Sequence, residues 1–196
     1  PFRFEDTVLT YSGDQDIVFA LDATGSMQGA INDLAAGLGD FVASFLDDVS
    51  GGEVRINIIA YTEGHNALTP VGQDWEETGF FTVTKDKQIN QTGVDNLQNY
   101  LDNLTTSGGV EPLDEVFDYI DNNVVYRDDA KQSLFVIGSV GDEATNATVG
   151  ANALVEAQEL LTNNPKLTMH TVAVSGGTGT STYFRDQLTP IGDGVY

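Results

Sequence analysis

The chain has 196 residues, about 40% of them hydrophobic, so it is long and apolar enough to form one α/β domain rather than a disordered acidic tail. It carries 30 acidic residues against 8 basic ones, and this net charge of −22 repels nucleic acid and anionic membranes but favours metal ions and cationic partners. It has no cysteine, which excludes disulfides and thiolate sites, and no apolar stretch near the roughly 20 residues that span a bilayer.

Apolar runs and amphipathic segments alternate along the chain. Residues 16–21 form an apolar run bounded by polar residues, which predicts a strand buried on both faces. Residues 28–48 carry apolar side chains at helical spacing and predict the first helix. The same patterns predict strands at 55–61, 80–84, 133–138 and 167–174, helices at 93–104, from Pro112 onward, at 148–162 and at 181–188, and an irregular excursion at 63–78.

This alternation predicts an α/β fold, a Rossmann-like doubly wound and mostly parallel sheet with one antiparallel edge strand and helices on both faces. Residues 1–15 are interpreted as an N-terminal extension and residues 16–196 as the domain. The chain opens on Pro1 rather than methionine, so we expect it to be part of a larger, processed chain.

Three polar segments are expected at the same edge of this sheet. Residues 22–27 follow the first strand, residues 105–111 precede a helix, and residues 141–143 follow a later strand. In open α/β sheets, ligands bind at the carboxyl ends of the strands near the switch in strand order. The three segments are therefore the candidate binding site.

The residue types in these segments suit a hard cation. Asp22, Thr24 and Ser26 alternate along the first segment, so their side chains can point to one side of a turn. Glu111 and Asp142 bring the number of carboxylates to three, and these repel one another unless a cation lies among them. We predict one divalent cation, Mg²⁺ first, with Ca²⁺ or Mn²⁺ as alternatives.

The Asp-x-Thr-x-Ser pattern after an apolar strand resembles the metal-ion-dependent adhesion site of von Willebrand factor type A domains. The usual pattern is Asp-x-Ser-x-Ser, and Thr24 keeps the hydroxyl of the serine it replaces. The second segment resembles a branch of the family, similar to integrin β-subunit domains, in which a glutamate at a helix start binds the metal. That assigns Glu111, with Thr106 or Ser107 as alternatives, and the third segment resembles the family's strand ending in an aspartate, which assigns Asp142.

The resemblance implies a binding module and not an enzyme. Thr24 and Ser26 would coordinate the metal directly, Asp22 and Asp142 directly or through water, and one position would stay open for an Asp or Glu carboxylate of a partner protein. It also implies an extracellular or cell-surface location within a larger protein. A full domain of this family ends in a strand and a closing helix, and we expect that helix to be absent here because residues 194–196 could only begin the strand.

Other interpretations stay open. The first segment also suits an ordinary strand-to-helix turn with a capping hydroxyl, and Glu111 suits a solvated carboxylate in a first helical turn. Similar domains serve inside cells as partner subunits of ATPases or metal-insertion complexes. A phosphoryl-transfer hydrolase would need a second aspartate where Thr24 stands, and no Gly-x-Ser-x-Gly turn supports a triad of Ser26, His170 and Asp142. His170 falls inside an apolar strand and is predicted to be a core histidine.

Overall fold

The computed structural model describes residues 13–48, 52–62, 75–83, 87–104, 106, 112–138, 147–174 and 183–192. Its strands are β1 (Gln15–Asp22), β2 (Val54–Tyr61), β3 (Trp75–Glu77), β4 (Phe81–Val83), β5 (Lys131–Gly138) and β6 (Leu167–Ala173). Its helices are α1 (Gln28–Asp48), α2 (Lys87–Asn103), α3 (Leu113–Asn123) and α4 (Ala147–Asn163). A 3₁₀ turn (Gly25–Met27) precedes α1, and a π-helical turn (Phe184–Leu188) runs into a second 3₁₀ turn (Thr189–Ile191).

The six strands form one sheet in the order β3-β2-β1-β5-β6, with β4 also paired to β2. β1 pairs in parallel with both β2 and β5, and β5 pairs in parallel with β6. Both β3 and β4 run antiparallel to β2. The chain leaves β1 for β2 on one side and returns to β5 on the other, so the strand order reverses at β1. This confirms the predicted fold class and places the switch point beside the end of β1.

The sheet is covered on both faces because apolar side chains alternate in direction along its central strand. Ile17, Phe19 and Leu21 belong to one buried cluster, which contains residues of α1 and α2, and we call this side the first face. Val18 and Ala20 belong to the other, on the second face, with residues of α3, α4 and the segment 183–192. Among the described residues, no helix is long and apolar enough to cross a membrane.

The predicted excursion over residues 63–78 is wrong for its last part, because residues 75–77 form β3. The paired residues Ile59–Glu77 and Ile56–Phe81 enclose three residues on the edge but only two on β2, which makes a β-bulge. Thr78 holds the bulge, since its backbone N–H donates to Ile58 O and its hydroxyl accepts the Ile58 N–H, both at 3.0 Å. The bulge splits the edge into two short strands, and short strands resist pairing with other chains.

Helix α2 begins at Lys87 rather than near residue 93 as predicted. Its first residues are mostly polar and give no apolar periodicity, so the pattern shows only its second half. The other helix boundaries agree with the prediction to within a few residues.

A buried carboxylate organises the amino-terminal edge of the sheet. Asp16, with its side chain fully buried, accepts hydrogen bonds from Arg55 Nε at 2.9 Å and from Arg127 N and Nε at 2.7 and 2.8 Å. Arg127 also donates to Gln15 O and to Glu53 O, both at 3.0 Å. The network therefore ties together the starts of β1 and β2 and the segment before β5.

Candidate metal centre

Asp22 is the last residue of β1 and lies at the edge of the sheet where the parallel strands end. It is in register with Tyr61 of β2, and the N–H of Ala23 donates to Tyr61 O at 2.8 Å. On the other side, Leu21 is in register with Ile137, so Gly138 is the β5 neighbour of Asp22. Asp22 is 0% exposed, so its carboxylate is held inside the edge of the sheet.

The turn after β1 is built around the Asp22 carboxylate. Its Oδ1 accepts the N–H of Thr24 at 2.7 Å. Thr24 stays extended, at φ −69° and ψ 162°, and its carbonyl accepts the N–H of Met27 at 2.9 Å. Met27 is fully buried and anchors the turn in the core. These bonds bring Thr24 Oγ1 within 3.3 Å of Ser26 Oγ.

The hydroxyls of Thr24 and Ser26 are hydrogen-bonded to each other, and this pair bears on the two interpretations of the segment. A capping threonine would accept a backbone N–H of the first helical turn, but the Thr24 side chain makes no such bond. Two neighbouring ligands of an octahedral ion at about 2.1 Å from the metal lie about 3.0 Å apart. The observed 3.3 Å separation is close to that value, so these residues fit a small divalent cation.

Exposure increases along the segment from the sheet toward solvent. Asp22 is 0% exposed and Thr24 is 6% exposed, whereas Ser26 is exposed. Gly25 between the two hydroxyl residues faces open space. An ion held by these side chains would have a buried carboxylate behind it and an accessible side in front.

The second segment reaches the first through a hydrogen bond. Thr106 Oγ1 donates to Gln28 Oε1 at 3.1 Å, and Gln28 begins α1 directly after the 3₁₀ turn that contains Ser26. Thr106 therefore lies beside the candidate site. Glu111 and Ser107 lie outside the described residues. Because α3 leads back to the start of β5, it runs opposite to the strands, and Leu113 at its start lies toward the carboxyl edge.

The third segment leaves the sheet beside Asp22, because β5 ends at Gly138. Asp142 lies outside the described residues. In the part of the chain that the structure describes, no group of three or more Asp, Glu and His residues is placed to hold a metal. Two of the three predicted carboxylates fall outside that part, so the three-carboxylate site stays a prediction.

Sequence reasoning missed two aromatic residues at this edge. A Cβ on Gly138 would lie 2.9 Å from Phe184 Cζ and 3.5 Å from Tyr61 Oη, so both rings end over this glycine. Tyr61 and Phe184 are 1% and 3% exposed. No sequence pattern indicates this arrangement, because it depends on the register of three strands and on the fold of the C-terminal segment.

His170 lies away from the candidate site, in the buried core as predicted. Its ring stacks on Phe135 at 4.7 Å between centroids, and Phe135 stacks on Phe19 at 5.4 Å. Burial, with a smaller effect of the Lys131 charge, lowers the pKa of His170. His170 is in register with Phe135 of β5, which is in register with Phe19 of β1. Phe19 lies three residues before Asp22, about 10 Å along the strand, and His170 lies two strands from β1, about another 10 Å across the sheet. His170 is therefore too far from Ser26 to form a catalytic triad with it.

No protein-family model matches the chain, and no curated protein matches its sequence. Solved structures match its fold. The pilus adhesin SpaC from Lactobacillus rhamnosus GG, in an open conformation, has a TM-score of 0.59 at 11% identity, over 94% of this chain and 28% of that one. Proximal thread matrix protein 1 from the mussel byssus has a TM-score of 0.56 at 14% identity, over 94% of this chain and 43% of that one.

Two further structures bear on the size and the metal chemistry of this fold. The conserved hypothetical protein BatB from Bacteroides thetaiotaomicron has a TM-score of 0.56 at 12% identity, over 93% of this chain and 88% of that one. A second structure of the byssus protein, with a zinc-occupied MIDAS motif, has a TM-score of 0.52 at 12% identity, over 88% of this chain and 42% of that one. The chain thus spans less than half of the adhesin and of the byssus protein. At 11–14% identity these matches show a shared fold and nothing more. That fold is the one expected from the Asp-x-Thr-x-Ser motif.

Proposed function

We propose that this chain is a von Willebrand factor type A domain that binds a partner protein through one divalent cation at its metal-ion-dependent adhesion site. The observation that carries the proposal is the pair of hydroxyls of Thr24 and Ser26, which lie 3.3 Å apart above the buried Asp22. The Thr24 hydroxyl caps no helix and is hydrogen-bonded to the Ser26 hydroxyl instead, which keeps the two oxygens together.

The ligand set follows from the three segments. Thr24 and Ser26 bind the ion directly, Asp22 and Asp142 directly or through water, and Glu111 completes the site from the loop before α3. Thr106 is the alternative from that loop, and its place beside Gln28 supports it. The cation would supply the positive charge that attracts a partner's carboxylate.

Magnesium is our first choice, because hydroxyl ligands and few carboxylates suit a small octahedral ion. Calcium, manganese and, by analogy with the zinc-occupied MIDAS structure, zinc are the alternatives.

We further propose that the domain acts outside the cell or on its surface, as part of a longer protein. The fold it shares with a pilus adhesin and a byssus matrix protein supports this location. The partner is expected to offer an exposed Asp or Glu side chain. Its surface should carry positive charge, because a chain with a net charge of −22 repels acidic proteins.

The first experiment titrates MgCl₂, CaCl₂ and MnCl₂ into chelator-treated protein and follows heat release and thermal unfolding. At a metal concentration 100 times the Kd, binding adds about 2.7 kcal/mol to the free energy of unfolding, which raises the midpoint by about 5–10 °C for a domain of this size. Asp22→Ala and Thr24→Val should abolish both signals.

An acidic chain gains stability from any cation, so the control must separate screening from binding. Asp33→Ala removes an exposed carboxylate of α1 and should keep the full metal response, and NaCl at equal ionic strength should not reproduce it. Equal responses of Asp22→Ala, Asp33→Ala and the unmodified chain would refute the metal site.

The partner chemistry has its own test. The unmodified chain, displayed at high density, is applied to immobilised basic peptides that each contain one aspartate, and to matched peptides with asparagine in its place. We expect retention on the aspartate peptides only, and its loss with EDTA or Asp22→Ala. Retention that survives both would contradict ligation through a metal.

A further inference from the structure

The side chain of Tyr61 lies across β1 at the position of Asp22. Tyr61 belongs to β2 and is in register with Asp22, while Gly138 is the neighbour of Asp22 on the opposite side. Neighbouring strands are about 4.8 Å apart, so Tyr61 and Gly138 start about 10 Å from each other. Yet Tyr61 Oη lies 3.5 Å from the position of a Gly138 Cβ. The ring therefore passes over the strand between them.

The ring lies on the same face as the Asp22 side chain. Tyr61 is packed in the buried cluster of the second face with Val18 and Ala20, and side chains two residues apart on a strand share a face. Asp22 follows Ala20 by two residues, so its carboxylate emerges where the Tyr61 ring crosses. Packed atoms exclude one another, and the carboxylate must lie on the outer side of the ring, toward Thr24.

Tyr61 is itself held in place. It is 1% exposed, and Phe184, which is 3% exposed, closes over Gly138 at the far end of its ring. Phe184 belongs to a turn fixed by a hydrogen bond from the Thr189 hydroxyl to Phe184 O at 2.6 Å. The packing around this buried ring therefore opposes a movement that would let the carboxylate rotate inward.

We propose that Tyr61 is a positioning residue for the metal centre: its ring blocks the inward rotation of the Asp22 carboxylate and keeps it directed at the Thr24 and Ser26 hydroxyls. This inference rests on the proposed function, because it assigns Tyr61 a role in the same site. Residues that orient metal ligands from behind change metal affinity by about 10–100-fold when they are replaced.

The test measures Mg²⁺ affinity calorimetrically in the unmodified chain, Tyr61→Phe and Tyr61→Leu. Phenylalanine keeps the ring and should bind within twofold of the unmodified chain, whereas leucine removes it and should lose at least tenfold. Val18→Ala is the matched destabilised control: Val18 is in β1, like Asp22, and is packed in the same buried cluster as Tyr61, but it lies four residues before Asp22. This variant should keep its Mg²⁺ affinity. Circular dichroism and urea unfolding with EDTA verify that each metal-free variant is folded, since a folded protein's affinity does not fall merely because its stability is lower.

A second variant covers the case in which Tyr61→Leu does not fold. Gly138→Ala adds a methyl group that must displace Phe184, whose ring ends over the same glycine as the Tyr61 ring, and by loosening the packing there it should also lower the Mg²⁺ affinity. Unchanged affinity in a folded Tyr61→Leu or Gly138→Ala variant, or equal losses in Tyr61→Phe and Tyr61→Leu, would overturn the role of the ring and leave the metal site intact. An unmodified chain that binds no metal would instead overturn the proposed function.

Discussion

Replacing Asp16 with asparagine keeps the shape of the side chain and removes its charge, which isolates the ion network at the amino-terminal edge of the sheet. Asp16 is 0% exposed, and its partners Arg55 and Arg127 are 22% and 19% exposed at their side chains. Removing one partner from such a buried group leaves the others uncompensated and costs about 3–5 kcal/mol. The opposing gain, one charge fewer on a chain of net charge −22, is smaller because distant charges are screened beyond about 8 Å at physiological salt.

The assay is urea unfolding at pH 7, because guanidinium chloride is itself a salt and would screen the interaction. We expect the Asp16→Asn midpoint to fall by about 1–3 M urea, and the thermal midpoint by about 6–20 °C. Asp186→Asn is the matched control, because Asp186 pairs with Arg185 but both side chains are about half exposed. A change in Asp16→Asn no larger than that in Asp186→Asn would refute the reasoning.

Three further predictions use the same unfolding assay. Burial raises the pKa of Asp16, but the hydrogen bonds from Arg55 and Arg127 outweigh it and leave the pKa below its usual value. The advantage of the unmodified chain over Asp16→Asn should therefore be complete above about pH 4 and disappear as the pH falls through the lower folded-state pKa. Because the pKa of His170 is lowered by burial, the unmodified chain should lose stability as the pH falls below about 6.5, and His170→Phe should flatten that slope; an unchanged slope would contradict it. Gly138→Ala should cost about 1–3 kcal/mol through its contact with Phe184, whereas Gly37→Ala, in open space on α1, should gain up to about 1 kcal/mol, and equal effects would refute the close approach.

The strands buried on both faces were predictable because burial leaves a continuous apolar run. β1 is one residue longer at each end than predicted, and β6 ends one residue earlier than predicted. β3 was not predictable, since Glu76 and Glu77 within it suggest a loop. It forms through tertiary contacts, in which Glu77 accepts hydrogen bonds from Asn57 at 3.1 Å and from Tyr119 at 2.7 Å. Those partners lie 20 and 42 residues away in the chain, beyond the reach of any local pattern.

The candidate site also has one part that the sequence predicts and one part that only the fold reveals. The Asp22, Thr24 and Ser26 segment was predictable because its spacing is local, and the structure adds that the Thr24 hydroxyl faces Ser26 rather than the helix backbone. The Tyr61 ring was not predictable, because its position relative to Asp22 is set by strand register and by a glycine on a third strand. Local spacing thus indicates the candidate ligands, while the residues proposed to hold them in place become visible only in the fold.

The two ends of β1 each hold a buried aspartate, and the two carboxylates have different surroundings. Asp16 and Asp22 are both 0% exposed, six residues apart on one strand. At Asp16 the chain uses two of its eight basic residues to neutralise a single carboxylate. At Asp22 the structure supplies a backbone N–H from Thr24, which orients a carboxylate without neutralising its charge. The Thr24 and Ser26 hydroxyls on the same turn offer a cation further oxygen ligands, which is the chemistry that the proposed function assigns to this end of the strand. The same strand thus carries a structural anchor at one end and the proposed binding site at the other, so Asp16→Asn should lower stability without changing metal affinity, whereas Asp22→Ala should abolish metal binding.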